Sequence, residues 1–239
     1  MDIRDLLIDG ARKYNIDIDD EKIEKLIAYK KILVEWNKRI NLTSIIDDEG
    51  IAKKHFIDSM SLFKSGKIDD NSTLIDVGTG AGFPGIVVKI MNPDLKVVLL
   101  DSLNKRINFL NEVISQLGLK DIETIHGRAE DIARRDGYRE SFDIATARAV
   151  ANMTVLSEYC LPFVKVGGYF IAMKGPSAEE EVNMAKNAIG TLGGRYLEII
   201  NAEIPGDELE HKIVIVEKIK NTDRKYPRKA GLVEKKPIK

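Results

Sequence analysis

The chain has 239 residues, 44% hydrophobic and 31% charged, with a formal net charge of −1. At roughly 150 residues per domain this describes one large globular domain with an appendage, and it excludes a disordered chain or a histone-like polycation. One cysteine, Cys160, excludes an internal disulfide and a four-cysteine zinc site and points to a reducing compartment. The longest uncharged run, 77–88, is glycine-rich and too short for a membrane span. The N-terminal MDIRDLLIDGARK lacks the basic end and apolar stretch of a signal peptide, so the expected location is the cytoplasm.

Residues 1–65 read as a helical cap. Ile3, Leu6, Leu7, Ala11 and Tyr14 share one helix face. Asp19 or Asp20 caps a second helix running to about Lys38, and Asp47 a third that covers Ile51, Phe56 and Met60. From Ser72 the pattern changes to short apolar runs alternating with helical stretches. Strands are expected at TLIDVG, KVVLLD (Lys96 to Asp101), IETIHG, FDIATA and YFIAMKG. Helices are expected over about 84–91, 104–117, 153–163 and 178–192. YLEIINAEI and HKIVIVEKI, joined by PGDELE with no room for a helix, predict an antiparallel hairpin. The fold class is therefore α/β, a parallel sheet with helices on both faces, over residues 66–219.

Residues 220–239 form a basic tail. From 218 onward nine Lys and Arg face only Asp223 and Glu234, a net charge of +7, and the rest of the chain carries −8. Two readings stand for this segment: a phosphate-binding arm that releases counterions from nucleic acid, or a solvated tail. Pro227, Gly231 and Pro237 argue against a long helix there.

The segment richest in chemistry is DVGTGAGFPG, Asp76 to Gly85, between a strand and a helix. Glycines let a ligand approach the backbone, and the helix beyond supplies free N–H groups. Gly80, Gly82 and Gly85 satisfy the dinucleotide spelling G-x-G-x-x-G, with Asp101 at 21 residues after Gly80. Asp76, Gly78, Gly80 and Gly82 instead spell D-x-G-x-G-x-G, which suits S-adenosylmethionine. A carboxylate at the end of the first strand repels a pyrophosphate and favours a ligand carrying an ammonium and a sulfonium. On that charge argument Asp76 selects S-adenosylmethionine, and Asp101 accepts both ribose hydroxyls.

With these residues in place, the chain resembles the glucose-inhibited division protein B family, bacterial rRNA guanine-N7 methyltransferases of the small subunit. The marks are WNKRINLTS (36–44), HFIDS (55–59), DVGTGAGFPG (76–85), DSLNKR (101–106), GRAED (127–131), ARAV (147–150) and MKG (173–175). The resemblance implies a Rossmann-like class I methyltransferase fold. Its sheet has seven mostly parallel strands with a C-terminal antiparallel hairpin and an N-terminal helical addition. It implies cofactor contacts from Gly78, Phe83, Ala129, Glu130 and Arg148. It also implies a guanine in the decoding-region hairpin of 16S rRNA as substrate, free or in the 30S subunit, with no membrane and no metal.

Guanine N7 has a lone pair and no proton, so its methylation needs no general base, and alignment and electrostatics can supply the catalysis. No residue is expected to act as acid, base or nucleophile. Arg148, at the end of the fourth strand, is the nearest candidate, against a surface ion pair as the alternative. Because the product base is cationic, Arg148 or Arg128 should touch O6, phosphate or the cofactor carboxylate rather than N7. Lys105, Arg106, Arg128, Lys174, Arg228 and Lys229 are the expected RNA ligands, each against a solvated alternative. Phe83 packs either on the cofactor or on the neighbouring helix, and Glu130 either binds adenosine or caps a turn. His55 and Asp58 are spaced to pair with each other, and Trp36 and Cys160 read as core. His55, His126 and His211 read as scattered. Two rival functions remain, a nicotinamide-dependent oxidoreductase and a non-catalytic RNA-binding assembly factor.

Overall fold

The computed structural model describes residues 2–207 and 210–239; Met1, and Glu208 and Leu209 of the PGDELE connection, lie outside them. The N-terminal part consists of α1 (Ile3–Lys13), α2 (Asp20–Asn37), α3 (Asp48–Ile51), a π-turn (Ala52–Ile57), α4 (Asp58–Met60) and a 3₁₀ turn (Ser61–Ser65). Asp19 caps α2 by accepting from the Lys22 N–H at 2.8 Å, and Asp47 caps α3 through the Gly50 N–H at 2.8 Å. The expected third helix is thus interrupted by a wide turn, a feature that often marks functional positions.

The sheet contains β1 (Thr73–Val77), β2 (Lys96–Asp101), β3 (Ile122–His126), β4 (Phe142–Arg148), β5 (Val164–Lys174), β6 (Gly194–Asn201) and β7 (Lys212–Lys218). These seven strands run in the order β3-β2-β1-β4-β5-β7-β6. The first five are parallel, and β7 inserts antiparallel between β5 and β6, with Ala172 opposite Val214 and Ile199 opposite Val214. The expected hairpin is present, and its second strand is the one that joins the parallel set.

Helices α5 (Gly85–Met91), α6 (Asn104–Gln116), α7 (Ala129–Ile132), α8 (Met153–Cys160), α9 (Ala178–Thr191) and α10 (Leu232–Lys235) complete the chain. One apolar core joins α1, α2, α5 and α6 to one sheet face; a second joins α8 and α9 to the other. Trp36, partly buried, packs on the core and meets Phe109 edge-on at 5.8 Å between ring centres, and Cys160 is fully buried. The strand order reverses between β1 and β4, and ligands of open α/β sheets dock at the carboxyl ends flanking such a reversal.

The basic tail lies along the body. Arg139 donates to the carbonyls of Thr222 and Tyr226 at 2.7 and 2.9 Å, Arg134 donates to the Pro227 carbonyl at 2.5 Å, and Val233 of α10 is buried. Neither a free arm nor a solvated tail describes this segment, because cations of the body hold its backbone down.

Candidate functional site

Strand periodicity decides which way the β1 side chains point. Leu74 enters the core beneath the helical cap, whereas Ile75 and Val77 enter the opposite core. Asp76 shares the parity of Leu74 and is fully buried beneath the glycine loop. Its Oδ2 accepts from the Thr79 hydroxyl at 2.6 Å and from the Gly85 N–H at 2.8 Å. Its Oδ1 has no hydrogen-bond partner among the described residues. Burial pushes the carboxyl up to about 6, against the pull of those two hydrogen bonds. Near the carboxyl end of β1, Asp76 thus lies beneath the loop and staples it from below. Above it, Gly82 has φ +92°, and a Cβ there would lie 2.6 Å from the Tyr29 hydroxyl oxygen. That hydroxyl, from α2, donates to the Ala81 carbonyl, so the cap helps to set the loop's shape.

On the Val77 side opens a cavity of about 360 Å³, within the usual ~300–1,000 Å³ of small-molecule sites. Gly78, Asp101, Ala129 and Glu130, all expected cofactor residues, line it, and Arg128 stands at its wall. Gly80 enters indirectly, its N–H donating to Asp101 Oδ2 at 2.9 Å. The same carboxylate accepts from the Leu103 N–H at 2.9 Å and from Arg106 at 3.2 Å. Burial pushes the Glu130 carboxyl above its ordinary range, with backbone N–H groups of Glu130 and Gly231 pulling it back. Tyr159, Gly231 and Glu234 also line the cavity. No motif marked these three; only the course of the tail brings them there. The negative charge facing the pocket comes from Asp101, Glu130 and Glu234.

Phe83 and Arg148 are not among the residues lining this cavity. They meet on the other side of the glycine loop, with the Arg148 guanidinium 4.9 Å from the Phe83 ring centre. Phe83 stacks on His55 at 4.6 Å and packs on Tyr29 at 5.3 Å, so its ring meets residues of the cap. Arg148 donates to Asp58 at 2.7 Å and to the Lys54 carbonyl at 2.9 Å. Asp58 also meets His211 at 2.9 Å, and His55 meets the Thr43 hydroxyl at 2.8 Å. Asn37 in turn accepts from the N–H groups of Leu42 and Thr43 at 2.8 and 3.0 Å. Thus WNKRINLTS, HFIDS and ARAV, far apart in the chain, converge.

Two expectations change here. His55 and Asp58, at the π-turn and just after it, take other partners instead of each other. His55 and His211 are not scattered, since both adjoin the Asp58–Arg148 pair; His126 lies apart, against the Ser102 carbonyl at 3.1 Å. Burial, and then Arg148, push the His55 imidazole down to about 4, leaving it neutral at pH 7. Burial raises the Asp58 carboxyl, but His211 and Arg148 outweigh it and hold it below the usual carboxylate range. The hydrogen bond that His211 donates to Asp58 raises the imidazole above its ordinary range. Ala149, directly after Arg148, sits at φ +56°, a left-handed conformation that places about 1–3 kcal/mol of strain at the end of β4.

Three of the expected RNA ligands are engaged within the protein. Lys174 bonds to Glu181 at 2.7 Å and to the Ala151 carbonyl at 2.9 Å, tying the loop after β4 to α9. Arg228 clasps buried Glu158 at 2.6 Å, and Arg106 turns to Asp101. Each sits beside a carboxylate with little exposed surface. Lys105, Arg128 and Lys229 are exposed.

The donor chemistry of S-adenosylmethionine matches these residues. Its ribose hydroxyls and exocyclic amine need acceptors, which Asp101, Glu130 and Glu234 offer; its cationic centres suit an acidic pocket; and the buried Oδ1 of Asp76 is an acceptor that an ammonium could satisfy. The fold is that of class I methyltransferases. TrmN from Thermus thermophilus superposes with a TM-score of 0.54 at 16% identity, covering 68% of this chain and 48% of that one. M. jannaschii TYW2, solved with AdoMet, gives a TM-score of 0.54 at 15% identity over 68% of this chain and 74% of that one. The family model described as rRNA small subunit methyltransferase G matches residues 22–209. Ribosomal RNA small subunit methyltransferase G of Clostridium botulinum (strain Eklund 17B / Type B) is 57% identical over 239 residues, all of both chains. The protein of that name from Clostridium perfringens (strain 13 / Type A) is 57% identical over 235 residues, 98% of each chain. The chain belongs to the rRNA small subunit methyltransferase G family.

Among the described residues no helix is long and apolar enough to cross a membrane, and no group of three or more His, Cys, Asp or Glu could hold a metal ion.

Proposed function

We propose that the protein methylates N7 of a guanine in the decoding-region hairpin of 16S rRNA, using S-adenosylmethionine, in the cytoplasm, on the RNA or on the 30S subunit that contains it. The observation that carries this reading is the division of labour across the glycine loop. An acidic cavity lies on one side, and a neutral imidazole, a phenyl ring and a paired guanidinium lie on the other. When bound, the cofactor supplies an electrophilic methyl group.

Gly78, Asp101, Ala129 and Glu130 would hold the adenosine half, and Asp76 would serve the ammonium. The second cluster suits an acceptor that must keep its lone pair free. One nitrogen of Arg148 is already spent on Asp58 and the Lys54 carbonyl, so its cation is restrained from seizing N7. His55, neutral at pH 7, neither protonates the base nor competes for it. Positioning and field, with no proton transfer at N7, then carry the rate. Exposed Lys105, Arg128 and Lys229 are assigned to RNA phosphates, where each contact contributes orientation and salt dependence but no sequence readout.

A dinucleotide is disfavoured, because its pyrophosphate would lie on the glycine loop above the buried Asp76 carboxyl. The test is methyl transfer from labelled S-adenosylmethionine to 16S rRNA and to 30S subunits lacking the modification, with strand cleavage at 7-methylguanine. A single labelled guanine in the decoding-region hairpin is expected. Label on another base atom, or binding of RNA without transfer, would overturn the assignment.

A further inference from the structure

We propose that the C-terminal segment is a wall of the cofactor pocket and that Glu234 on α10 is a binding determinant for the adenosine half of S-adenosylmethionine. The inference rests on the cofactor reading above and adds a residue and a segment that none of the motifs includes.

The first observation is the acceptor count at Asp101. An ionised carboxylate offers about four lone-pair sites. Gly80, Leu103 and Arg106 occupy three of those on Asp101. A ribose diol and an exocyclic amine bring more donors than the remainder can serve. Glu130 is committed in part to backbone N–H groups. Glu234 lines the same cavity, is exposed, and meets the Tyr159 hydroxyl at 3.1 Å. It therefore supplies the acceptor capacity that Asp101 lacks.

The second observation is how firmly the segment is placed. Neighbouring residues of α8 anchor it at two points, Arg228 and Glu234. Glu158 takes the Arg228 backbone N–H at 2.7 Å and its guanidinium at 2.6 Å, while Tyr159 holds Glu234. Arg228 also reaches forward to the Lys236 carbonyl at 2.7 Å, closing a loop around α10, whose Val233 is buried in the core. A wall fixed in this way is pre-organised, so binding need not order it. The cations at 224, 225, 229, 235 and 236 remain exposed and are not among the residues lining this cavity. One segment thus presents an acid to the cavity and bases to solvent.

The test is calorimetric binding of S-adenosylhomocysteine, with 16S rRNA affinity and thermal midpoint measured in parallel. The variants are Glu234→Ala, Glu234→Gln, Tyr159→Phe and, as a reference for the pocket, Asp101→Ala. Glu234→Ala is expected to weaken S-adenosylhomocysteine about tenfold, one lost hydrogen bond to a charged group, with the midpoint and RNA affinity unchanged. Glu234→Gln, which keeps one oxygen acceptor, should lose less, and Tyr159→Phe should fall between it and the native protein. Wild-type affinity in Glu234→Ala beside lost affinity in Asp101→Ala would sink this inference and leave the pocket standing. Wild-type affinity in both would remove the pocket as well. Lost RNA affinity with intact S-adenosylhomocysteine binding would return the segment to an RNA role.

Discussion

Replacing Asp76 by asparagine separates two contributions that ordinarily fall together. The carboxyl is held at about 6 instead of its ordinary 3.8 because it is buried. That difference corresponds to about 3 kcal/mol of penalty on the charged form. Asparagine removes the charge but keeps one oxygen to accept from Thr79 and Gly85, and its amide replaces the oxygen that has no partner. The sign follows from linkage: a carboxyl raised in the folded state destabilises fully above about pH 6, and the penalty fades as pH falls toward 3.8. Asp76→Asn should therefore raise the midpoint by up to roughly 6–12 °C at pH 8 for a chain of this size. The gain should shrink through pH 5 and vanish near pH 4. Cofactor affinity should move the other way. Loss of a charge-assisted bond to the ammonium predicts roughly 10–100-fold weaker S-adenosylhomocysteine binding. Thermal melts at three pH values and one titration suffice. A variant less stable at pH 8, or a gain independent of pH, would refute the burial argument; unchanged affinity would refute the ammonium contact.

Asp58→Ala leaves Arg148 and His211 without their shared partner, and a loss of about 3–5 kcal/mol is expected. Methyl transfer should fall while S-adenosylhomocysteine affinity stays within about twofold, because the cavity lies across the loop. Gly82→Ala places a Cβ 2.5 Å from Ile86 Cδ1 at φ +92°; destabilisation of roughly 1–3 kcal/mol with weakened cofactor binding is expected in melts and titrations. His55, pushed down to about 4 from 6.5, contributes stability that is full above pH 6.5 and lost as pH falls toward 4. His55→Gln should flatten that window by roughly 1–3 kcal/mol in denaturation curves. Arg228→Ala strands the buried carboxylate of Glu158. It should lower the midpoint sharply without reducing the salt slope of RNA binding, whereas Lys229→Ala should reduce the slope by about one and spare stability.

Local chemistry was legible in the chain itself. The apolar runs, their alternation with amphipathic helices and the glycines of DVGTGAGFPG specify a doubly covered sheet with a ligand loop after β1, because periodicity and backbone freedom act over a few residues. The motifs were also enough to name the family. The parity of β1 was available too: Asp76 follows Leu74 by two residues and must share its face, which places it under the loop. What no local rule reaches is the choice of partner. Arg148 and Asp58 are 90 residues apart, and His211 and Asp58 are 153 apart. Lys174, Arg106 and Arg228 carry the same charge as Lys105 and Lys229, yet each meets a carboxylate with little exposed surface, while the other two are exposed. A cation goes where desolvated negative charge needs it, and burial is a property of the packed fold rather than of the residue. For the same reason a tail that reads as a stretch of positive charge becomes, once α8 holds it, an acid-bearing wall of the pocket.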